Sequence, residues 1–154
     1  MADLPGLLDQ DHVKLDLEAS SKRHLLRQLA DAISAETPLS SREILDVLSD
    51  RERLGSTGIG SGVAIPHGKI NGLDELHVFF MRLAKPIDFD ASDDQPVDLV
   101  FTLLAPEGAA GDHLKALARL ARRLREPAVV ERLRNAEKPQ EIIRALQASA
   151  QSDG

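Results

Sequence analysis

The sequence predicts an α/β fold: a single domain in which a mixed β-sheet is flanked by helices on both faces. Three observations carry this expectation. Segments of strand character are interspersed with segments of helical periodicity, the pattern that builds layered α/β architectures. The run Val97 to Ala105, VDLVFTLLA, is almost unbroken in apolar residues, as a strand covered on both faces must be. The length of 154 residues, with 42% hydrophobic and 29% charged composition, suits one core, and no linker or internal repeat divides it.

Each element follows in chain order. Residues 1–12 mix Pro, Gly and acids without periodicity, an expected flexible arm leading into a short strand over Val13 to Leu17. Leu25, Leu26, Leu29, Ala30 and Ile33 then repeat at helical spacing behind a cap at Ser20 or Ser21, and Thr37 and Pro38 end that segment. Ser40 and Glu43 have capping-box spacing, and Ile44, Val47 and Leu48 supply the apolar face of a second helix running toward Arg53. Between Gly55 and Gly62 lies GSTGIGSG, with four of the ten glycines, followed by Val63-Ala64-Ile65 and Pro66-His67-Gly68. Glycines here serve either a tight surface loop or a close approach of backbone amides to a ligand. Val78 to Leu83 and Val97 to Ala105 have strand length. From Asp112 a third helix is expected to turn Leu114, Leu117, Ala118, Ala121 and Leu124 inward. Pro127 and Pro139 open two further helices carrying Val130, Leu133, Ile142, Ile143 and Leu146, and residues 150–154 form a polar, flexible end.

Composition removes whole classes of chemistry. With no Cys there is no disulfide, thiolate nucleophile or Cys-based metal site, and a cytoplasmic location is the simplest expectation. A 3% aromatic content and a net charge of -6 oppose nucleic-acid binding. Without a basic n-region or about 18 uninterrupted apolar residues, no export signal and no membrane insertion are expected. The glycine loop lacks the Lys-Ser or Lys-Thr pair of a P-loop, and its alternating glycines do not have dinucleotide-binding spacing. The five histidines show no zinc-site spacing. In Gly58-Ile59-Gly60-Ser61-Gly62 the central residue is Gly60, where a nucleophile elbow needs Ser. The reading therefore assigns no metal and no cofactor.

His67 is distinct because Pro66 and Gly68 flank it at the end of an apolar run. A neutral imidazole is a competent nucleophile near pH 7, although a hydrogen-bonded structural histidine would look the same in sequence. A resemblance separates the two. Residues 52–68, ERLGSTGIGSGVAIPHG, resemble the phosphorylation-site signature of enzyme IIA domains of the fructose-mannitol class of the sugar phosphotransferase system. The likeness rests on Glu52, the Ile59-Gly60 pair, the Val63 to His67 run and Gly68. Within the class, RERLGSTGIGSGVAIPHGKI and PIDFDASDDQPVDLVFTLLAP look most like the nitrogen-regulatory enzyme IIA proteins.

The resemblance implies a phosphotransferase component spanning 1–154 as one type-2 enzyme IIA domain. In such proteins the histidine matched by His67 receives a phosphoryl group from an HPr-type phosphocarrier protein and becomes phosphohistidine, which the family suggests forms at Nε2. Arg51, by position alone a helix-end cation, matches the family's arginine before the loop, and its guanidinium suits phosphate contact. His113 matches the family's second histidine near the acceptor, and the start of a helix would lower its basicity. Glycine-loop amides could add donors. A free-standing nitrogen-type chain implies a phosphorylation-dependent regulator of target proteins whose identity the sequence does not name. The alternative is a sugar-specific enzyme IIA that passes phosphate to an enzyme IIB during fructose- or mannitol-class uptake.

Overall fold

Behind Ser21 the apolar residues predicted to share a face wind into α1, Lys22–Glu36, and Leu25, Leu26, Leu29, Ala30 and Ile33 are all buried. The structure is a computed structural model that describes residue 8, residues 10–108 and residues 110–152. Ser21, and not Ser20, is the cap, its hydroxyl accepting from the His24 amide. In α2, Ser41–Arg53, the Ser40 hydroxyl accepts from the Glu43 amide at 3.2 Å. The second bond of the predicted capping box differs: the Ser40 hydroxyl donates to the Glu43 carboxylate at 2.9 Å.

The strands are β1 (Val13–Leu17), β2 (Gly58–Gly60), β3 (Val63–Ala64), β4 (His67–Ile70), β5 (His77–Ile87) and β6 (Val97–Pro106). They form one sheet in the order β1-β5-β6-β3-β2, with β4 also paired to β6. β5 runs antiparallel to β6 and β2 to β3, whereas β1 pairs with β5, and β3 and β4 with β6, in parallel. The sheet is mixed, as expected. Helices α3 (Ala110–Arg123), α4 (Pro127–Asn135) and α5 (Pro139–Ser152) follow. Both proline-led helices begin where predicted, since a first-turn position asks nothing of the missing N–H.

β6 shows why its sequence is continuously apolar. Leu99, Phe101 and Leu103 belong to the core beneath α3, α4 and α5, while Val100 and Leu104 belong to the core beneath α1 and α2. Helices therefore cover both faces.

The arm and tail differ in part from expectation. Gln10–His12 is a 3-10 turn and Leu8 is buried in the core. The last helix extends through Ser152. Residues 1–7, 9, 153 and 154 of the predicted flexible segments lie outside the described residues.

The α3 face also differs. Leu114 and Ala118 are exposed, whereas His113, Ala116, Leu120 and Leu124 are buried and Leu117 and Ala121 partly so. The inward stripe runs 113, 116, 117, 120, 121, 124, a clean helical repeat that begins on a histidine. A reading of apolar spacing starts from Leu114 and is rotated by about one residue.

Candidate functional site

The site begins at a break in a strand. Val63 to Ile70 keeps one register along β6, with Ala64 opposite Val100 and His67 opposite Leu103, and the Leu103 amide donates to the Pro66 carbonyl across the gap between β3 and β4. β2 covers β3 and stops short of His67, so His67 stands half-buried at the sheet's edge.

Gly68 brings a helix close to that edge. A Cβ there would collide with the Val47 side chain of α2, so glycine lets α2 lie against β4 and carry Arg51, in its last turn, to the imidazole. Arg51 Nε lies 3.2 Å from His67 Nε2, and one of its terminal nitrogens donates to the Gly55 carbonyl at 2.9 Å. Arg53 instead is exposed and pairs with Asp50 at 2.8 Å.

These contacts define the His67 tautomer. Nδ1 lies 2.8 Å from the Ile65 carbonyl, which can only accept, so Nδ1 carries the proton. Nε2 then holds the lone pair that accepts from Arg51. Burial lowers the His67 pKa from 6.5, and the Arg51 charge lowers it further, against the raising influence of the Ile65 carbonyl and Glu52. The imidazole is therefore neutral and nucleophilic near pH 7.

His113, in the first turn of α3, faces it with ring centroids 5.5 Å apart at 65°. Its pKa is lowered by burial, then by His67 and Lys69. Its Nε2 is buried without a hydrogen-bond partner, an expensive state for a polar atom that an anion's oxygen would relieve. The structure thus gathers His67, Arg51 and His113 in one place. Among the described residues no group of three His, Asp or Glu side chains could hold a metal ion.

The glycine-rich segment folds into a turn. Gly58 to Ala64 is a β-hairpin whose two turn residues, Ser61 and Gly62, have φ of 58° and 81°, the positive values that a type I′ turn requires. Four amides of the loop have partners within the fold: Gly55 donates to the Glu52 carbonyl, Thr57 to the Glu52 carboxylate, Gly58 to Ser56 Oγ and Ser61 to Asp93. Two further charged groups escaped sequence reasoning. Lys22 pairs with Glu52 at 3.0 Å, and the nearly buried Arg82 binds the carbonyls of Leu133 and Arg134 at 3.0 and 3.1 Å and also that of Ala136. Both pairings join residues at least 30 positions apart, which local spacing does not reveal.

No described helix is long and apolar enough to cross a membrane. Residues 6–149 match the family model of the phosphoenolpyruvate-dependent sugar phosphotransferase system, EIIA 2. A nitrogen regulatory protein of Bradyrhizobium diazoefficiens is 49% identical over 84% of this chain and 85% of its own. A fructose-specific EIIA component of Haloferax volcanii is 34% identical over 92% of this chain and 93% of its own. The crystal structure of nitrogen regulatory protein IIA-Ntr from Neisseria meningitidis superposes with a TM-score of 0.89 at 38% identity, covering 93% of this chain and 98% of that one. With sequence and fold agreeing over nearly the whole length, the chain belongs to the EIIA 2 family of the phosphoenolpyruvate-dependent sugar phosphotransferase system.

Proposed function

We propose that His67 Nε2 accepts a phosphoryl group from the phosphohistidine of an HPr-type carrier protein, and that the resulting phosphorylation state regulates binding to target proteins in the cytoplasm. One observation carries the chemistry: Nδ1 is engaged by the Ile65 carbonyl, and the lone pair sits on Nε2 beside Arg51. In the transfer the donor's N–P bond breaks, its electron pair stays on the donor imidazole, and a new P–N bond forms at Nε2. The proton stays on His67 Nδ1 throughout, donated to the Ile65 carbonyl. Arg51 turns from Nε2 to the equatorial phosphoryl oxygens, and His113 Nε2 supplies a further donor. Little else is required, because phosphoryl transfer rests mainly on positioning and charge stabilisation.

A protein donor suits the rim. Leu54 and Leu114, next in the chain to the Arg51 turn and to His113, are 84% and 66% exposed, large apolar side chains of the kind that protein contacts cover. The 49% identity to a nitrogen regulatory protein supports regulation. The likeness to a fructose-specific EIIA component supports a second reading, onward transfer to an enzyme IIB.

Labelling with a phosphorylated HPr-type donor tests the acceptor: the parent takes up one phosphoryl group and a folded His67→Ala variant takes up none. Undiminished labelling of that variant overturns the assignment. Proteins captured by only one phosphorylation state support regulation, whereas rapid discharge to an enzyme IIB supports the second reading.

A further inference from the structure

We propose that Glu52 is a positioning residue for this reaction: with Lys22 and Thr57 it forms a clamp that holds the end of α2, and through it the Arg51 guanidinium, against His67. The proposal rests on His67 as the acceptor. The Glu52 side chain is 5% exposed and meets Lys22 Nζ at 3.0 Å. It also accepts from the Thr57 amide at 3.1 Å and from the Thr57 hydroxyl. Lys22 in turn lies 4.5 Å above the Phe89 ring and 3.8 Å from Asp90. A nearly buried carboxylate with three donors is held firmly, because losing any one leaves charge without compensation. The clamp joins the start of α1, the end of α2, the start of the hairpin and the loop after β5.

Gly55 lies between the clamped residues 52 and 57, and its carbonyl is the second anchor of Arg51. Pinning both ends of this turn therefore fixes that anchor. The polar contacts of the Glu52 carboxylate go to Lys22 and Thr57, not to His67 or Arg51. It positions through the turn and does not touch the reacting atoms; its charge also raises the His67 pKa, an influence that Glu52→Gln removes and Lys22→Met leaves in place.

The test is a double-mutant cycle. Glu52→Gln, and Lys22→Met, which removes the ammonium and keeps a side chain of similar length, are compared with the parent in single-turnover transfer from a phosphorylated HPr-type donor. Each is expected to slow transfer about 10- to 100-fold, the scale of a misplacement near 1 Å. In an Arg51→Ala background the same substitutions should slow it less than about 2-fold further, because the group they position is gone. A folded Glu52→Gln variant that transfers at the parental rate, or that slows the Arg51→Ala protein as much as it slows the parent, overturns the proposal. If Glu52→Gln does not fold, Lys22→Met alone decides by the same criteria. The 15N resonance of His67 Nε2 gives a second readout in the unphosphorylated protein, where Glu52→Gln should move it toward its position in Arg51→Ala. If the parent takes no label the acceptor reading fails, and this resonance alone decides: an unmoved signal refutes the clamp.

Discussion

Replacing Arg82 with Met removes a charged cap from inside the protein while leaving a side chain of similar length. In the parent the guanidinium binds the carbonyls of Leu133, Arg134 and Ala136 at the end of α4, and Asp16 at 3.2 Å from the other side. Leu133 and Ala136 are buried, so two carbonyls would lose their partner where water does not easily reach. At about 1–3 kcal/mol for each stranded group, the gross loss is about 2–6 kcal/mol. Relief of the Arg82 desolvation penalty offsets part of it, leaving an expected loss of about 2–4 kcal/mol. For a chain of this size that corresponds to a Tm lower by about 10 °C. Urea unfolding followed by circular dichroism reads the change, with the slope against denaturant unaltered. Arg82→Lys should recover part of the loss, since an ammonium can still serve one or two carbonyls. A Met variant within 0.5 kcal/mol of the parent, on the order of the scatter for surface changes, would refute the cap.

Gly68→Ala should push α2 from β4, destabilise by about 1–3 kcal/mol as overpacking does, and slow His67 labelling; Val47→Ala in the same chain should restore both, and failure of that rescue would show the collision is not the cause. The pH profile of labelling should inflect below 6.5, because burial and Arg51 lower the His67 pKa; an inflection at or above 6.5 contradicts that environment. Stability should follow the same sign. His67, His77 and His113 all have folded pKa values below 6.5, so the unfolded chain binds more protons as pH falls from 6.5, and acid unfolding curves should show stability declining through that window.

What the sequence revealed and what it concealed divide along physical lines. β1 has its predicted bounds, and the two proline-led helices start on their prolines, because a cap or a run of β-formers acts within a few residues. The continuous apolar run of β6 likewise announced cover on both faces. His67, Arg51 and His113 became candidates through the family likeness, and the structure brings them together, with the contact of Nδ1 distinguishing the two imidazole nitrogens. The rotation of α3 was not legible. Its buried stripe begins with His113, and a polar residue that turns inward to meet another histidine looks, in one dimension, like a surface residue beside an apolar Leu114. The glycine loop stayed open in sequence for a related reason: glycines serve a hairpin turn or an anion cradle equally well, and the positive φ of Ser61 and Gly62 is what places them in a hairpin turn. Arg82 and Lys22 were silent because their partners lie far along the chain.

On the proposed reading Arg51 would act on both sides of the transfer, and the two effects can be separated. In the unphosphorylated protein its charge disfavours protonation of Nε2; in the proposed phosphorylated form the same charge would face a group carrying about one and a half to two negative charges. Arg51→Gln removes both effects. The His67 titration midpoint should rise toward 6.5, leaving more imidazolium at neutral pH, and labelling should slow by about 100- to 1000-fold, the range for one lost charge-stabilising donor. If the slowing came only from protonation, raising the pH from 7 to 8.5 would return the imidazole to its neutral form and restore the parental rate. If it comes from the missing contact to the equatorial oxygens, the deficit persists at pH 8.5. The persistent deficit is expected, since even an unperturbed imidazole is mostly neutral at pH 7, too small a change in nucleophile to account for more than about a twofold loss. Full recovery at high pH would reduce Arg51 to a modulator of basicity and remove it from the set of phosphoryl ligands.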